Sequence, residues 1–219
     1  MIKITYFDFN FWRLDILRLC LSYSKTPYVY EKISRENFIK KKKDGDFPFG
    51  QLPVITINNR MHGQTSSLAK YCARKSNLYD SNIENSLVID QVLDWANDIT
   101  LKIAPSIREK NRQKQLKLRK SFIKNDLKNW FAFLEKLFLN SSEKRVFFTD
   151  NFSVADITAW RVIYWFWSGK LELINNDFLK EFPHLNNFFQ TICSFEPLSK
   201  LNEFKEITSK KYRKKIKST

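Results

Sequence analysis

One stretch, residues 47–71, constrains the fold of this chain more than any other. Near its start, Pro48 and Gly50 interrupt regular structure and predict a turn. The β-branched run 54–57 that follows is typical of a short strand. The pair Asn58-Asn59 then predicts a hairpin turn, because asparagine tolerates the positive φ that such turns need. The stretch therefore predicts a turn, a strand and a hairpin with a short return strand.

A helix with a polar start is predicted directly after the hairpin. Thr65 or Ser66 can serve as its N-cap, and apolar residues recur at helical spacing from Leu68 onward. Gln64-Thr65 would present backbone N–H groups, a hydroxyl and the positive end of the helix dipole. Such a helix start is suited to bind a carboxylate.

Pro53 precedes the strand directly and cannot donate a ladder hydrogen bond, so it belongs at a strand start or edge. The backbone of Gln51-Leu52 beside it could pair with an extended peptide. Together with the helix start, this predicts a short peptide ligand whose carboxylate lies near Thr65. A plain β-hairpin followed by a capped helix is the alternative interpretation.

The same stretch resembles the glutathione-binding core of the cytosolic glutathione transferases. Residues 48–54, Pro-Phe-Gly-Gln-Leu-Pro-Val, match the family's Pro-Phe-Gly-Gln-Val-Pro-Val pattern, and Gln64-Thr65 stands where the family has Gln-Ser. The resemblance implies that Pro53 is cis and that the backbone before it pairs with the cysteinyl part of glutathione. It also implies that Gln64-Thr65 holds the γ-glutamyl carboxylate. The implied glutathione-binding residues on these matched motifs are Gln51, Leu52, Pro53, Gln64 and Thr65.

Two domains and a tail are predicted along the chain. Residues 1–76 show the order βαβ, then α, then ββα, which is typical of a thioredoxin-like domain. The polar run 76–84 predicts a linker. Residues 85–207 show no clear strand and predict an all-α C-terminal domain, as in the glutathione transferase fold. Residues 208–219 form a basic tail.

Within the second domain, apolar periodicity predicts long helices over residues 85–112 and 114–139, and a further helix over 178–195. Only 4 glycines and 6 prolines occur in 219 residues, which favours helix and leaves no Gly-rich phosphate loop. Ser153 and Asp156 have the spacing of a capping box, with Asp in place of the usual Glu. We interpret this box as a structural helix start rather than as a catalytic motif.

Charge and cysteine content narrow the setting in which the protein acts. The net charge of +15 attracts anions of any kind. The basic tail is either a solvated end, a weak contact for anionic lipid surfaces or nucleic acid, or a nuclear address. Aromatic residues are not interleaved with the charges as base stacking requires, so no specific nucleic acid is expected. Three widely spaced cysteines and the charged first residues predict a cytoplasmic protein, and two isolated histidines predict no metal site.

The candidate catalytic residue is Tyr6, at the end of the first predicted strand. A thiol with a pKa near 8.5 is only slightly ionised at neutral pH, so an enzyme that uses glutathione as a nucleophile must stabilise the thiolate. In several classes of the family, a tyrosine hydroxyl at this place donates a hydrogen bond to the sulfur. The following loop departs from the family, because Phe11-Trp12-Arg13 replaces Arg-Gly. A gapless alignment puts Phe7 at the catalytic place, and a one-residue insertion restores Tyr6.

Further site residues follow from the resemblance or from the composition of this loop. Asp98 resembles the family aspartate that reaches across a dimer to the glutathione amino group, and Lys43 or Lys42 would hold the glycyl carboxylate. Three aromatic residues would line a pocket for an apolar second substrate, namely Phe9, Phe11 and Trp12. We therefore expect a homodimeric, divergent Tyr-type glutathione S-transferase with a role in detoxification. It would conjugate glutathione, its co-substrate, to a small hydrophobic electrophile, or bind hydrophobic ligands, without a bound cofactor. The alternative is a non-catalytic, transferase-like binding or assembly module.

Overall fold

The computed structural model describes residues 1–141 and 146–209, so most of the basic tail lies outside the described residues. Contacts within the chain divide it into two compact units. The first unit comprises residues 1–80 and 196–208, and the described part of the second is essentially residues 81–195. Residues 196–207, which the sequence predicts to lie in the helical domain, belong instead to the first unit. The reason is burial of the apolar side chains of Leu198, Phe204 and Ile207 within the first unit.

The first unit combines a four-stranded sheet with helices. In chain order its elements are β1 (Ile2–Tyr6), α1 (Trp12–Tyr23), β2 (Tyr28–Lys32), α2 (Arg35–Lys43), β3 (Val54–Ile57), β4 (Arg60–His62), α3 (Thr65–Lys75), α9 (Glu196–Ser199) and α10 (Asn202–Thr208). The strand order is β2-β1-β3-β4, with β1 parallel to β2, and with β3 antiparallel to both β1 and β4. This is the predicted thioredoxin-like arrangement.

Helices α1 and α3 pack against each other, and the core of this unit consists of buried side chains from the sheet and from these helices. Ile2, Ile4 and Tyr6 alternate along β1 and are all buried. α1 is apolar on most of its surface, and eight of its residues are buried. α9 and α10 also pack against α1. The apolar side chains on this face of β1 thus belong to the core of the unit.

The hairpin and the turn before it form as the sequence predicts. Asn58 and Asn59 have φ values of 48° and 62°, the left-handed pair required by a tight two-residue hairpin turn. The Leu52–Pro53 peptide bond is cis, and Pro53 lies directly before β3.

The predicted cap of α3 is wrong. Neither Thr65 nor Ser66 is the N-cap; that position is held by Gln64, whose φ is 71° and whose side chain makes no capping hydrogen bond. The chain turns sharply from β4 into the helix at Gln64, so the helix begins one residue earlier and Thr65 becomes its first residue.

All regular elements among the described residues of the second unit are helical. Its elements are α4 (Ile83–Arg108), α5 (Arg112–Phe122), a π-helical segment (Ile123–Leu127), α6 (Lys128–Ser141), α7 (Val154–Trp167), a 3₁₀ helix (Asn176–Glu181) and α8 (Pro183–Ser194). α4 packs against α5, α6 and α7. The all-α prediction for this part of the chain is confirmed.

Two predicted helices of this unit are each divided in the structure. The helix expected over residues 114–139 is interrupted by the π-helical segment. The helix expected over residues 178–195 breaks at Phe182, whose φ of −126° and ψ of 75° are not helical. Pro183 explains the second break, because proline disfavours helical backbone at the preceding residue and is well accommodated at the first position of a new helix.

The predicted capping box at the start of α7 is confirmed. The backbone N–H of Ser153 donates to the Asp156 carboxylate at 2.7 Å. The Phe148 N–H donates to the same carboxylate at 2.8 Å. Through these two bonds the fully buried Asp156 joins the start of α7 to the preceding loop.

The structure also describes the state of the cysteines, and it bears on membrane-spanning helices and metal sites. Cys20 and Cys72 are fully buried, and none of the three cysteines forms a disulfide. Burial raises the pKa of the Cys72 thiol to about 12, so it stays protonated at neutral pH. Among residues 1–141 and 146–209, no helix is long and apolar enough to cross a membrane, and no cluster of metal-binding side chains is present.

Candidate functional site

The start of α3 presents polar groups on an unusual backbone. Gln64 is exposed at the N-cap with a φ of 71°, a conformation that costs free energy for any residue with a Cβ. Thr65 follows as the first helical residue and is only 7% exposed. The first N–H groups of a helix have no partner within it, so this end can bind an anion.

The loop before β3 lies directly against this helix start. A Cβ atom at Gly63 would lie only 3.0 Å from Cδ2 of Phe49, so the absence of a side chain lets the two segments approach. Leu52 and Pro53 are buried, whereas Gln51 is exposed. The structure thus brings together, within the first unit, the two segments to which the sequence assigned peptide binding.

The side chain of Lys42, one of the two candidate lysines, lies against the loop before β3. A Cβ atom added at Gly50 would lie 3.2 Å from Cε of Lys42. The ammonium nitrogen of Lys42 lies 6.0 Å from the centre of the Phe38 ring. Lys42 therefore runs beside the loop that leads to Gln51. Lys43 is exposed at the C-terminal end of α2.

Tyr6 is the last residue of β1 and is 5% exposed. Its ring makes edge contacts with the rings of Phe7 and Phe9, at centroid distances of 5.5 and 5.6 Å. Its carbonyl oxygen accepts a hydrogen bond of 2.9 Å from the N–H of Ile33, immediately after β2. Phe7, the other candidate for the catalytic position, packs its ring against Phe38 of α2 at 5.3 Å. The gapless alignment therefore assigns the catalytic position to Phe7, which packs on α2, and the alignment with an insertion assigns it to Tyr6, which is buried at the end of β1.

The aromatic loop after β1 only partly fits the predicted pocket for a second substrate. Phe9 is 52% exposed and stacks on Phe7, with ring centroids 5.8 Å apart and nearly parallel planes. Phe11 is partly exposed at the N-cap of α1. Trp12 is 0% exposed, so its assignment to a solvent-open pocket is wrong. It is the first residue of α1, and its indole belongs to the core.

One contact of this loop was missed by the sequence reasoning. The hydroxyl of Tyr30, in β2, donates a hydrogen bond to the carbonyl oxygen of Phe7. The N–H of Phe9 donates to the same oxygen at 2.8 Å, and Lys32 forms an ion pair of 2.7 Å with Asp8. No local sequence pattern signals the contacts of Tyr30 and Lys32, because they join residues of β2 to a loop more than twenty positions earlier.

Asp98 lies in the second unit, on an exposed position of α4. Its side chain faces solvent in the single chain and is thus accessible to another molecule.

The comparison with known proteins decides the family. The family model of the glutathione S-transferase C-terminal domain matches residues 97–206, half of the chain. The chain belongs to the glutathione S-transferase family. Mouse (Mus musculus) glutathione S-transferase A4 is 28% identical over 202 residues, which cover 90% of this chain and 86% of the mouse protein.

Solved structures confirm the glutathione S-transferase fold over nearly the whole chain. The pi-class glutathione S-transferase of Onchocerca volvulus superposes with a TM-score of 0.77 and is 24% identical, covering 94% of this chain and 93% of its own. A monomeric glutathione S-transferase from the hookworm Necator americanus superposes with a TM-score of 0.72 at 23% identity, covering 91% and 94%. At these identities the structures support the fold, and the family assignment rests on the sequence match.

Proposed function

We propose that this glutathione S-transferase binds glutathione in its first unit and conjugates the glutathione thiolate to a small hydrophobic electrophile. The main support is the close approach of two segments, the loop 49–53 and the turn 63–65, at the start of α3. One segment offers the backbone of Leu52 before Pro53, and the other offers Gln64 and the N-terminus of a helix. An extended peptide with a carboxylate at one end fits such a pair of segments.

In the proposed reaction, the chain's own residues bind and orient glutathione and stabilise its ionised sulfur. The backbone of Leu52 pairs with the cysteinyl part, and Gln64 with Thr65 holds the γ-glutamyl carboxylate. Tyr6 donates a hydrogen bond from its hydroxyl to the sulfur, which favours the thiolate. The thiol proton passes to solvent. The sulfur then forms a bond to the electrophilic carbon, and the leaving group departs with its electron pair.

The second substrate would contact the aromatic surface after β1. Phe9 presents an exposed ring, supported by its stack on Phe7, and an apolar electrophile gains free energy by covering such a ring. We retain Phe9 and Phe11 in this role and remove Trp12, which is buried.

A second candidate function is a non-catalytic, glutathione-binding module. The observation that favours it is the loop after β1, where Phe11-Trp12-Arg13 stands in place of Arg-Gly and Phe7 packs next to Tyr6. In that case glutathione would bind while the thiol stayed largely protonated.

Retention on glutathione-agarose, followed by a conjugation assay with 1-chloro-2,4-dinitrobenzene, tests both functions. Retention with turnover above the uncatalysed rate supports the transferase. Retention without turnover supports the binding module, and failure to bind glutathione contradicts both. We also propose that the protein acts as a cytoplasmic homodimer, because its cysteines are not in disulfides and Asp98 is accessible to a partner.

A further inference from the structure

The loop that joins β1 to α1 is held from one side by β2. Its first carbonyl, that of Phe7, accepts two hydrogen bonds: one from the Phe9 N–H within the loop, and one from the Tyr30 hydroxyl outside it. The Tyr30 contact is therefore a side-chain link between the β2 strand and the backbone that follows Tyr6 directly.

Tyr30 is itself held in place. The guanidinium of Arg18, in α1, lies 5.2 Å from the centre of the Tyr30 ring. Arg18 forms an ion pair of 2.9 Å with Glu206 of α10, so its own position is also fixed. Burial raises the pKa of the Tyr30 hydroxyl to about 12, so at neutral pH it keeps its proton and remains a donor.

We propose that Tyr30 is a positioning residue for the conjugation reaction. Its hydroxyl fixes the Phe7 carbonyl and thereby the orientation of the two rings on either side, Tyr6 and Phe9. Tyr6 and Phe9 are the residues proposed to touch the sulfur and the electrophile, so the inference rests on the proposed function. It adds a residue from another strand that aligns the two substrates without touching either.

Tyr28 provides a matched control on the same strand. It lies two residues before Tyr30 and therefore on the same face of the sheet. Its hydroxyl also lies near Arg18, with the Nε of Arg18 at 3.4 Å, but it donates at 2.8 Å to Glu203 of α10 and not to the loop. Tyr28→Phe thus removes a comparable hydroxyl without releasing the Phe7 carbonyl.

The experiment compares wild type, Tyr30→Phe and Tyr28→Phe, with glutathione and 1-chloro-2,4-dinitrobenzene as substrates. Tyr30→Phe should lower kcat by about fivefold to tenfold, the effect of one lost hydrogen bond and a slight misplacement of the reacting groups. KM for glutathione should stay within about twofold, because the segments at residues 49–53 and 63–65 are untouched. Tyr28→Phe should leave both kinetic constants close to wild type.

Hydrogen exchange gives a readout that needs no activity. In Tyr30→Phe, the Phe9 amide should exchange at least about fivefold faster than in wild type, since its acceptor is no longer held. It should be unchanged in Tyr28→Phe. An unchanged kcat in Tyr30→Phe, or equal losses in both variants, would overturn the positioning role.

The kinetic and exchange measurements separate the two ways in which this inference can fail. A wild-type protein that binds glutathione without turnover contradicts the proposed function, and with it any role for Tyr30 in conjugation. Faster Phe9 exchange in Tyr30→Phe would then still support the anchoring of the loop. Unchanged exchange would overturn the anchoring as well.

Discussion

Tyr6 and Phe7 are adjacent in the chain but differ in surroundings: Tyr6 ends β1 with a buried ring, whereas Phe7 packs towards α2. We expect Tyr6→Phe to lower kcat by about tenfold to a hundredfold and to raise the apparent pKa of the pH–rate profile towards that of free thiol. The reason is that only the hydroxyl can stabilise the thiolate, and a shift of two pKa units corresponds to about 2.7 kcal/mol. Titration of the thiolate absorbance in the glutathione complex measures this pKa directly.

Affinity for glutathione should change little in Tyr6→Phe, because the peptide contacts lie elsewhere. Tyr71→Phe is a suitable control, since Tyr71 lies on α3 and has no proposed part in the reaction. If kcat and the thiol pKa are the same in Tyr6→Phe and wild type, Tyr6 is an ordinary strand residue. That result would support the non-catalytic, glutathione-binding module.

Gln64 combines an exposed side chain with a left-handed backbone. Glycine adopts a φ of 71° without the strain of a Cβ, so Gln64→Gly should raise the free energy of unfolding by about 1 kcal/mol. It should also weaken glutathione binding by about tenfold, because the side chain assigned to the γ-glutamyl group is lost. Chemical denaturation and calorimetric titration measure the two effects.

Two further variants separate strain from binding at Gln64. Gln64→Ala should weaken binding to a similar extent without the gain in stability, because alanine keeps the Cβ. Asn59→Gly, at a φ of 62° in the hairpin, should not change the affinity. Full glutathione affinity in Gln64→Ala would remove this residue from the site.

The capping box of α7 makes the stability of the second unit depend on pH. Burial raises the pKa of the Asp156 carboxyl from its ordinary value of 3.8 to about 7, although hydrogen bonds from the Phe148 and Ser153 N–H groups act in the opposite direction. The folded chain therefore keeps a proton that the unfolded chain has already released. This contribution to stability is complete below a pH of about 4 and is lost as the pH rises through about 7.

We accordingly expect the advantage of wild type over Asp156→Asn, in free energy of unfolding, to shrink between a pH of about 4 and about 7 and to stay constant above that. The asparagine does not titrate, so the change with pH belongs to Asp156 alone. Asp156→Ala should cost about 3 kcal/mol, since it removes the cap and leaves a buried N–H of Phe148 without its acceptor. Urea denaturation at several pH values tests this, and a constant gap between wild type and Asp156→Asn would contradict it.

Elements specified by neighbouring residues were predictable from the sequence. The hairpin at Asn58-Asn59 and the capping box at Ser153-Asp156 each depend on residues within three positions of one another. The π-helical segment at 123–127 follows no recognisable pattern, because its residues continue the helical periodicity on both sides. The packing of residues 196–208 on α1 depends on contacts between distant parts of the chain, which periodicity cannot reveal.

In the candidate site, too, the features set by neighbouring residues were predictable from the sequence, and those set by distant contacts were not. The motif at residues 48–54 and the pair Gln64-Thr65 could be recognised from the sequence, and the structure places them side by side. Trp12 was assigned wrongly, because an aromatic residue at a loop–helix boundary looks the same in sequence whether it faces solvent or the core. Tyr30 was missed since its partner, the Phe7 carbonyl, is a backbone atom that carries no sequence signal.

At the scale of the whole molecule, the exposed position of Asp98 on α4 matters for the proposed dimer. If Asp98 reaches glutathione in a second copy of the chain, light scattering should give a mass near twice 26.3 kDa. Asp98→Asn should then weaken glutathione binding by about tenfold, the effect of losing one hydrogen bond to a charged group.

Asp94 offers the control for this prediction, because it lies one turn earlier on α4 and is also exposed. Asp94→Asn should leave the affinity unchanged. If wild type is strictly monomeric and Asp98→Asn binds glutathione as tightly as wild type does, Asp98 is not part of the site.

The return of residues 196–208 to the first unit has a consequence for synthesis of the chain. During translation, the sheet and helices α1 to α3 leave the ribosome first. Leu198, Phe204 and Ile207, which are buried in the same unit, are translated much later. The N-terminal unit is therefore begun first during translation and finished only after the whole helical unit has emerged. Until α9 and α10 are made, the apolar surface of α1 that they cover stays exposed, and a chaperone can bind it.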